Sequence, residues 1–250
     1  MQNSLNRAGR MALDFIFPPL CILCRVPVSE PGHLCASCWG EIKFLDGPQC
    51  ESCGLPYDVD PGSETLCAAC HAKPPHFDKA RAIMLYDEKS RGPILALKHA
   101  DRLELAPGFS RWMNRTGKEL LAVCDVIVPV PLHPFRLWRR RYNQSAELGR
   151  HLARISRKPF DGHLLVRQRP TPSQGSMASA RARKRNMAAA FAVPVERKSA
   201  AKDRVILLVD DVMTTGATVD ACARALKKAG ATKVFVLSLA RVVRGADVLI

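Results

Sequence analysis

The sequence predicts an α/β protein, with a parallel sheet between helices, preceded by a small cysteine-rich module. Eight of the ten cysteines lie between Cys21 and Cys70, all of them in Cys-x-x-Cys pairs. From about residue 79, short β-branched apolar runs alternate with amphipathic helical patterns, which is typical of a parallel sheet. The run Lys73-Pro-Pro-His76 separates the two parts. We therefore place the module at residues 1–75 and the α/β domain at residues 79–250.

Each element of the α/β domain is predicted from the spacing of its apolar residues. The predicted strands cover residues 80–86, 125–131, 204–210 and 234–239. The predicted helices cover residues 91–99, 109–122, 145–155 and 216–229. Gly230 ends the last helix, and prolines end the second strand. Ligands of such sheets bind beside the carboxyl ends of the strands, so the residues that follow each strand are candidates for a site.

Composition and charge limit the class of protein. Of the 250 residues, 47% are hydrophobic, enough for a packed core, and the formal net charge is +15. This excess of positive charge predicts an anionic partner, such as a phosphate compound, a nucleic acid or an acidic protein surface. Asp14 and the Pro18-Pro19 pair interrupt the apolar run after Arg10, which argues against a signal peptide. No run approaches the roughly 18 apolar residues of a membrane span, and we expect a cytoplasmic protein.

The cysteine pairs have the spacing of metal ligands. Two Cys-x-x-Cys knuckles supply four thiolates, which close the shell of a tetrahedral ion, and zinc is the ion expected in such structural sites. The simplest pairing gives two sites, one formed by Cys21, Cys24, Cys35 and Cys38 and the other by Cys50, Cys53, Cys67 and Cys70. A crossed pairing and disulfides are the alternatives. Whether the module contacts nucleic acid or only braces the second domain stays open.

A candidate phosphate site follows the third predicted strand. Val205–Val209 leads into two adjacent acids, Asp210 and Asp211, and then into Thr214-Thr-Gly-Ala-Thr218. Small residues at a strand-to-helix turn allow backbone amides to converge on a phosphate, and the helix N-terminus favours the anion. Adjacent carboxylates can accept hydrogen bonds from a ribose diol. An ordinary capped turn is the alternative, but the combination resembles the PRPP-binding signature of type I phosphoribosyltransferases. The resemblance implies that the phosphate is held by Thr214, Thr215, Gly216, Ala217 and Thr218.

Basic residues crowd a second region, between residues 129 and 186. After Val128-Pro-Val-Pro131 come five cationic candidates for a pyrophosphate, His133, Arg136, Arg139, Arg140 and Arg141, and Asn143 could cap the next helix. The densest run is 181–185. It is interpreted as a hood over a ligand, as a nucleic-acid patch or as a solvated loop. Trp112, Trp138 and Tyr142 could stack on bases, although packing inside the protein is expected for each.

Together these motifs resemble the ComF family, and the resemblance covers nearly the whole chain. It rests on Phe17-Pro-Pro-x-Cys21, Leu34-Cys35, Cys50-x-x-Cys53-Gly54-x-Pro56, Leu97-Lys98, Val128-Pro-Val-Pro131, Arg140-x-Tyr-Asn-Gln144, Arg167, Thr171, Gln174, Arg185-Asn186, Phe191 and the acid-pair motif. The family implies a double zinc ribbon followed by a type I phosphoribosyltransferase domain. It also implies a role in natural transformation, with single-stranded DNA and DNA-processing proteins as partners.

The resemblance further implies roles for individual residues. Asp210 and Asp211 would hold the ribose of PRPP, directly or through Mg²⁺, while Arg140, His133 and Arg185 would hold its pyrophosphate. Arg141 stands where the family usually has glycine, and the longer stretch before Asn186 leaves the arginines at 181 and 183 without a counterpart. Two functions stay open: pentosyl transfer from PRPP to an unidentified acceptor, and non-catalytic binding of single-stranded DNA or a partner protein.

Overall fold

The computed structural model describes residues 17–62, 65–99, 102–132, 137, 141–168 and 190–243. In this part of the chain the strands are β1 (Lys79–Leu85), β2 (Val126–Pro129), β3 (Val166–Arg167), β4 (Phe191–Ala192), β5 (Val205–Met213) and β6 (Lys233–Arg241). The helices are α1 (Ala36–Glu41), α2 (Ala68–Ala72), α3 (Glu88–His99), α4 (Ala106–Thr116), α5 (Lys118–Val123), α6 (Gln144–Ser156), α7 (Lys198–Ala201) and α8 (Ala217–Lys228). Short 3₁₀ turns precede α4 and α7, at Leu103–Leu105 and Val195–Arg197.

The main sheet confirms the predicted α/β class. Among the described residues it has four strands in the order β1-β6-β5-β2, and all neighbours are parallel. The carboxyl ends of the strands therefore lie along one edge, with β5 in the interior of the sheet. β2 is an edge strand, so the missing N–H group of Pro129 costs no hydrogen bond to a neighbouring strand.

The structure departs from the predicted elements mainly at three places. β5 runs on to Met213, because Val212 and Met213 continue the register with β6, so the acid pair lies inside the strand rather than after it. The helix predicted over 109–122 is two helices that meet at Gly117, a poor helix former. A Cβ at Gly117 would lie 2.9 Å from the Met113 carbonyl oxygen and 2.5 Å from Leu237 Cδ2, so any larger residue would force its neighbours to shift. The short antiparallel pair of β3 and β4 had no counterpart in the prediction.

Each face of the sheet carries its own apolar core, because alternate strand residues point to opposite faces. Ile206 and Leu208 of β5 face one core, which includes apolar residues of α8 and the second cysteine cluster. Leu207 and Val209 face the other, which includes apolar residues of α3, α4 and α6 and, from the N-terminal module, Ile22 and Ile42. The module thus contributes to both cores.

The N-terminal module also covers an edge of the sheet. The Leu45 amide donates to the Ile83 carbonyl at 2.9 Å, and the Leu85 amide donates to the Lys43 carbonyl at 2.9 Å. Residues 43–45 therefore pair with β1, which would otherwise present unpaired backbone groups. None of the helices among the described residues is long and apolar enough to cross a membrane.

Candidate metal centres and phosphate site

The cysteine clusters have the geometry of two closed metal sites. The four sulfurs of each cluster lie within 4.8 Å of one another, and the clusters combine the cysteines as the simplest pairing predicts. The Cys24 and Cys35 sulfurs are 3.6 Å apart, and the Cys53 and Cys67 sulfurs are 3.7 Å apart. A tetrahedral zinc with bonds of about 2.3 Å places its sulfurs about 3.8 Å apart, so both donor sets fit this ion. All ten cysteines are free thiols, which excludes the disulfide alternative in this structure.

Backbone geometry shapes the knuckles around each cluster. The residue after each first knuckle is left-handed, Arg25 with φ of 69° and Gly54 with φ of 69°. At position 54 an added side chain would lie 2.5 Å from the Ala80 carbonyl oxygen, so glycine is required there. The Cys53 and Cys67 amides point at Cys50 Sγ, at 3.5 and 3.3 Å, which favours its thiolate.

The second cluster is joined closely to the sheet. Arg81 of β1 donates to the Glu51 carbonyl at 3.0 Å and pairs with the Glu51 carboxylate at 2.7 Å. Arg241 of β6 donates to the Cys53 carbonyl at 2.6 Å, and its other terminal nitrogen lies 3.6 Å from Cys53 Sγ. Positive charge beside a four-thiolate site offsets part of its negative charge.

Asp210 and Asp211 are buried in the interior strand, 8% and 7% exposed. The Ser145 hydroxyl donates to Asp210 Oδ1 at 3.2 Å. Lys98 Nζ lies 2.9 Å from Asp211 Oδ2, to which Gln144 Nε2 also donates at 3.1 Å. Burial, reinforced by the adjacent Asp211 carboxylate, raises the pKa of Asp210 to about 7. The pair thus shares a site with one lysine, and Asp210 titrates near neutral pH.

The loop after the acid pair connects β5 to α8. Thr214 and Thr215 are exposed, and Gly216 is left-handed, with φ of 74° and no atom within 4 Å of an added Cβ. The Ala217 amide lies 3.4 Å from Thr215 Oγ1. Gly216, Ala217 and Thr218 are small residues at the N-terminus of α8, a helix of twelve residues. Small side chains there leave the backbone N–H groups of the first turn accessible to an anion.

Residues of the N-terminal part of the chain, Cys53 and His76, contact the residues on either side of this loop. Before it, Met213 pairs with Arg241, which reaches Cys53, and the Val242 amide donates to the Met213 carbonyl at 2.9 Å. After it, Asp220 in the first turn of α8 accepts from the His76 amide at 2.6 Å and lies 3.0 Å from His76 Nδ1. Both ends of the loop are therefore tied to the region of the second cluster.

Comparison with known proteins accounts for both parts of this architecture. A model of the double zinc ribbon domain matches residues 12–71, and a model of the phosphoribosyl transferase domain matches residues 143–247. The DNA utilization protein YhgH of Escherichia coli strain K12 is 36% identical over 234 residues, which cover 90% of this chain and 97% of that protein. This chain belongs to the ComF family. The two four-cysteine clusters lie within the matched ribbon domain and fit its two zinc sites.

Other members and one solved structure extend the comparison. Competence protein F of Haemophilus influenzae is 33% identical, over 88% of this chain and 96% of its own, and competence protein ComFC of Bacillus subtilis is 24% identical over 79% of each chain. The allosteric regulatory enzyme of purine biosynthesis is 17% identical, with a TM-score of 0.38 over 58% of this chain and 30% of its own. That likeness is too weak to carry an argument.

Three of the ComF site predictions lie outside the described residues, namely His133, Arg140 and Arg185, as does the basic run 181–185. The structure places the acid pair and the Thr214–Thr218 loop in succession at one edge of the sheet. It also confirms Asn143 as the cap of α6, since its Oδ1 accepts from the Ser145 and Ala146 amides at 3.0 and 3.4 Å.

No local sequence pattern indicated the groups that contact the acid pair. Lys98 and Gln144 stand in motifs of the family resemblance that imply no role for them, and Ser145 only begins a predicted helix. Their convergence depends on how α3 and α6 pack over β5, which no local pattern reports. The two cysteines outside the clusters, Cys124 and Cys222, are core residues, 2% and 0% exposed.

The raised pKa of Asp210 predicts a pH-dependent stability. The folded protein keeps this proton up to about pH 7, whereas an ordinary aspartate, with a pKa of 3.8, loses it earlier. Because the folded state binds more protons between these two pKa values, the stability contributed by this group falls as the pH rises from 3.8 to about 7 and is constant above that. We expect Asp210→Asn to remove that slope in urea unfolding between about pH 5 and 7. The exposed Asp203→Asn is the control, and parallel profiles for wild type and Asp210→Asn would refute the assignment.

Proposed function

We propose that this ComF protein binds PRPP or a related ribose 5-phosphate at the carboxyl edge of its sheet. The observation that carries the proposal is the succession of a buried acid pair, the loop Thr214–Thr218 and the start of α8. The loop amides and hydroxyls would hold the 5-phosphate, and Asp210 and Asp211 would accept hydrogen bonds from the ribose hydroxyls. His133, Arg140 and Arg185 remain the proposed ligands of the pyrophosphate.

An orphaned acceptor beside the acid pair supports a hydroxyl-bearing ligand. Gln144 is 2% exposed, and its Oε1 has no hydrogen-bond partner among the described residues, although its Nε2 bonds to Asp211. A buried acceptor without a donor is costly, and a ribose hydroxyl would supply the donor.

Mg²⁺ is proposed to accompany the ligand rather than to reside in the protein. Carboxylate and amide oxygens suit this ion, but Lys98 already occupies the cation position at Asp211. A direct carboxylate–metal bond would require Lys98 to move. We therefore assign Mg²⁺ to the pyrophosphate oxygens of PRPP, where the ion and the basic residues together would neutralise the negative charge.

A role in DNA uptake or DNA utilization is proposed from the relatives. Those with 33–36% identity are named for DNA utilization or competence, and they match over nearly their whole length. The net charge of +15 favours association with an anionic polymer such as DNA. We propose the cytoplasm as the place of action and DNA-processing proteins as partners.

The ligand proposal is tested by two matched glycine substitutions. Gly216→Ala and Gly230→Ala each place a Cβ on a left-handed residue, at φ of 74° and 101°, and each should cost about 1 kcal/mol of unfolding free energy. Only Gly216 lies in the phosphate loop, so only Gly216→Ala should weaken binding of labelled PRPP with Mg²⁺, by about tenfold. Absence of PRPP binding to the wild type would refute the proposal, and so would equal weakening by both variants.

A non-catalytic role is the second candidate, and the acid pair itself favours it. Both carboxylates are buried, and Asp211 is held by Lys98 and Gln144, so the pair is stable without a reacting ligand. Incubating the protein with PRPP, Mg²⁺ and candidate bases or amines distinguishes the two functions. Release of pyrophosphate above the spontaneous rate supports a transferase, whereas PRPP binding without release supports a binding protein.

A further inference from the structure

A groove of about 300 Å³ lies between the first zinc ribbon and α4, away from the phosphate loop. Its walls include three aromatic side chains, two arginines and a histidine, which we call the aromatic groove: Trp39, Phe44, Trp112, Arg111, Arg115 and His33. Phe44 and Trp112 pack against the core that contains α4, whereas α8 packs against the other face of the sheet.

The rings of the aromatic groove form one cluster with an exposed member. The Trp39 ring centroid lies 4.6 Å from that of Phe44 and 6.0 Å from that of Trp112, the latter nearly perpendicular at 88°. Trp112 is in turn edge-on to Phe44 at 5.8 Å. Trp39 remains 42% exposed, although tryptophan is usually well buried. Its neighbours hold its ring in place while leaving part of it open to a flat partner.

The two arginines of the aromatic groove are positioned for a polyanion. Arg111 and Arg115 are exposed and lie one turn apart on α4, a spacing of about 6 Å. Arg115 meets Asp46 at 3.4 Å and His33 meets Glu30 at 3.4 Å, but these are exposed pairs that phosphates can displace. Arg111 donates to the Pro31 carbonyl and has no carboxylate partner among the described residues.

We propose that the aromatic groove binds single-stranded nucleic acid. One unpaired base stacks on Trp39, and successive phosphates bind Arg111 and Arg115. A cationic rim beside an accessible aromatic face is the combination by which single strands are bound without sequence readout, because every base has a π-face. A duplex keeps its bases stacked inside and gains only the phosphate contacts. The inference gives the proposed role in DNA utilization a contact surface, and it does not depend on the ribose phosphate site.

The experiment measures anisotropy of a fluorescein-labelled oligothymidylate with the full-length, zinc-loaded protein. Trp39→Ala should weaken binding about tenfold or more, whereas Trp39→Phe should retain most of it, because the aromatic face is kept. Arg111→Gln/Arg115→Gln should reduce the slope of log affinity against log salt by about 1.4, the value for two phosphates on a single strand. The control is Arg154→Gln/Arg204→Gln, which removes two exposed arginines elsewhere.

Folding of each variant is checked by circular dichroism and zinc content. The arginine pair has exposed side chains, so its result stands even if Trp39→Ala is unstable. Equal loss of the salt slope in both double variants would overturn the proposal. So would unchanged affinity in Trp39→Ala and Arg111→Gln/Arg115→Gln, or tighter binding of duplex than of single strand. A wild-type protein that binds no oligonucleotide at low salt would overturn it in favour of a protein partner. PRPP binding should be unchanged in all these variants.

Discussion

Cys53→Ser is expected to destabilise the protein by about 5 kcal/mol or more, a large part of the stability of an ordinary domain. The four sulfurs of the second zinc site are buried, and they share an apolar core with Phe77, Ala80 and residues of α8. Loss of one thiolate weakens the binding of the zinc ion that holds this segment folded, and it leaves the three remaining thiols buried in the core. Zinc content and the midpoint of thermal unfolding measure the effect.

The effect of Cys53→Ser should extend to the phosphate loop. Arg241 bonds to Cys53 and pairs with Met213 at the start of the loop, and His76 bonds to Asp220 after it. When the second ribbon loosens, both ends of the loop lose a fixed contact. We therefore expect faster hydrogen exchange of the amides of residues 214–218 at temperatures where the variant is still folded.

Cys24→Ser is the matched control, because Cys24 is an exposed ligand of the first zinc site. It should lower the zinc content to one ion per chain while leaving exchange in the phosphate loop near the wild-type rate. Equal acceleration of loop exchange in the two variants would mean that the loop responds to general destabilisation. The contacts through Arg241 and His76 would then have no special role.

Local patterns predicted the zinc sites and the strands, because both depend on the spacing of residues that are close together in the sequence. A Cys-x-x-Cys pair places two thiols on one knuckle, and a short apolar run such as Val205–Val209 favours a buried strand. The acid pair was found for the same reason, although the structure places it within β5. The division between residues 75 and 79 stays a prediction.

Contacts between distant segments were not predictable in this way. Lys98 reaches Asp211 only because α3 packs over the end of β5, and Trp39 meets Trp112 only because the first ribbon lies against α4. In the sequence each of these residues is an isolated lysine or tryptophan. Their roles follow from packing, which depends on the whole set of apolar faces rather than on spacing within one element.

Lys98→Met is expected to destabilise the protein by about 2–4 kcal/mol near pH 7.5. The Lys98 side chain is 25% exposed and the Asp211 side chain only 10%, so removing the ammonium leaves a buried carboxylate beside Asp210. Lys98 also lowers the pKa of Asp210, and its loss should raise that pKa further. The variant should therefore regain stability as the pH is lowered, because Asp210 takes up a proton and one buried negative charge is removed.

The double variant Lys98→Met/Asp211→Asn isolates the interaction from other effects of each substitution. With both charges gone, no uncompensated carboxylate remains, so the double variant should be more stable than Lys98→Met alone. The exposed pair of Arg115 and Asp46, at 3.4 Å, is the control, and its cycle should give about 0.5 kcal/mol or less. A coupling energy for Lys98 and Asp211 as small as that would show that the lysine is not the counter-ion of the acid pair. A large one would mean that a ribose phosphate must compete with Lys98 for Asp211, so Lys98→Met should then change PRPP affinity as well as stability.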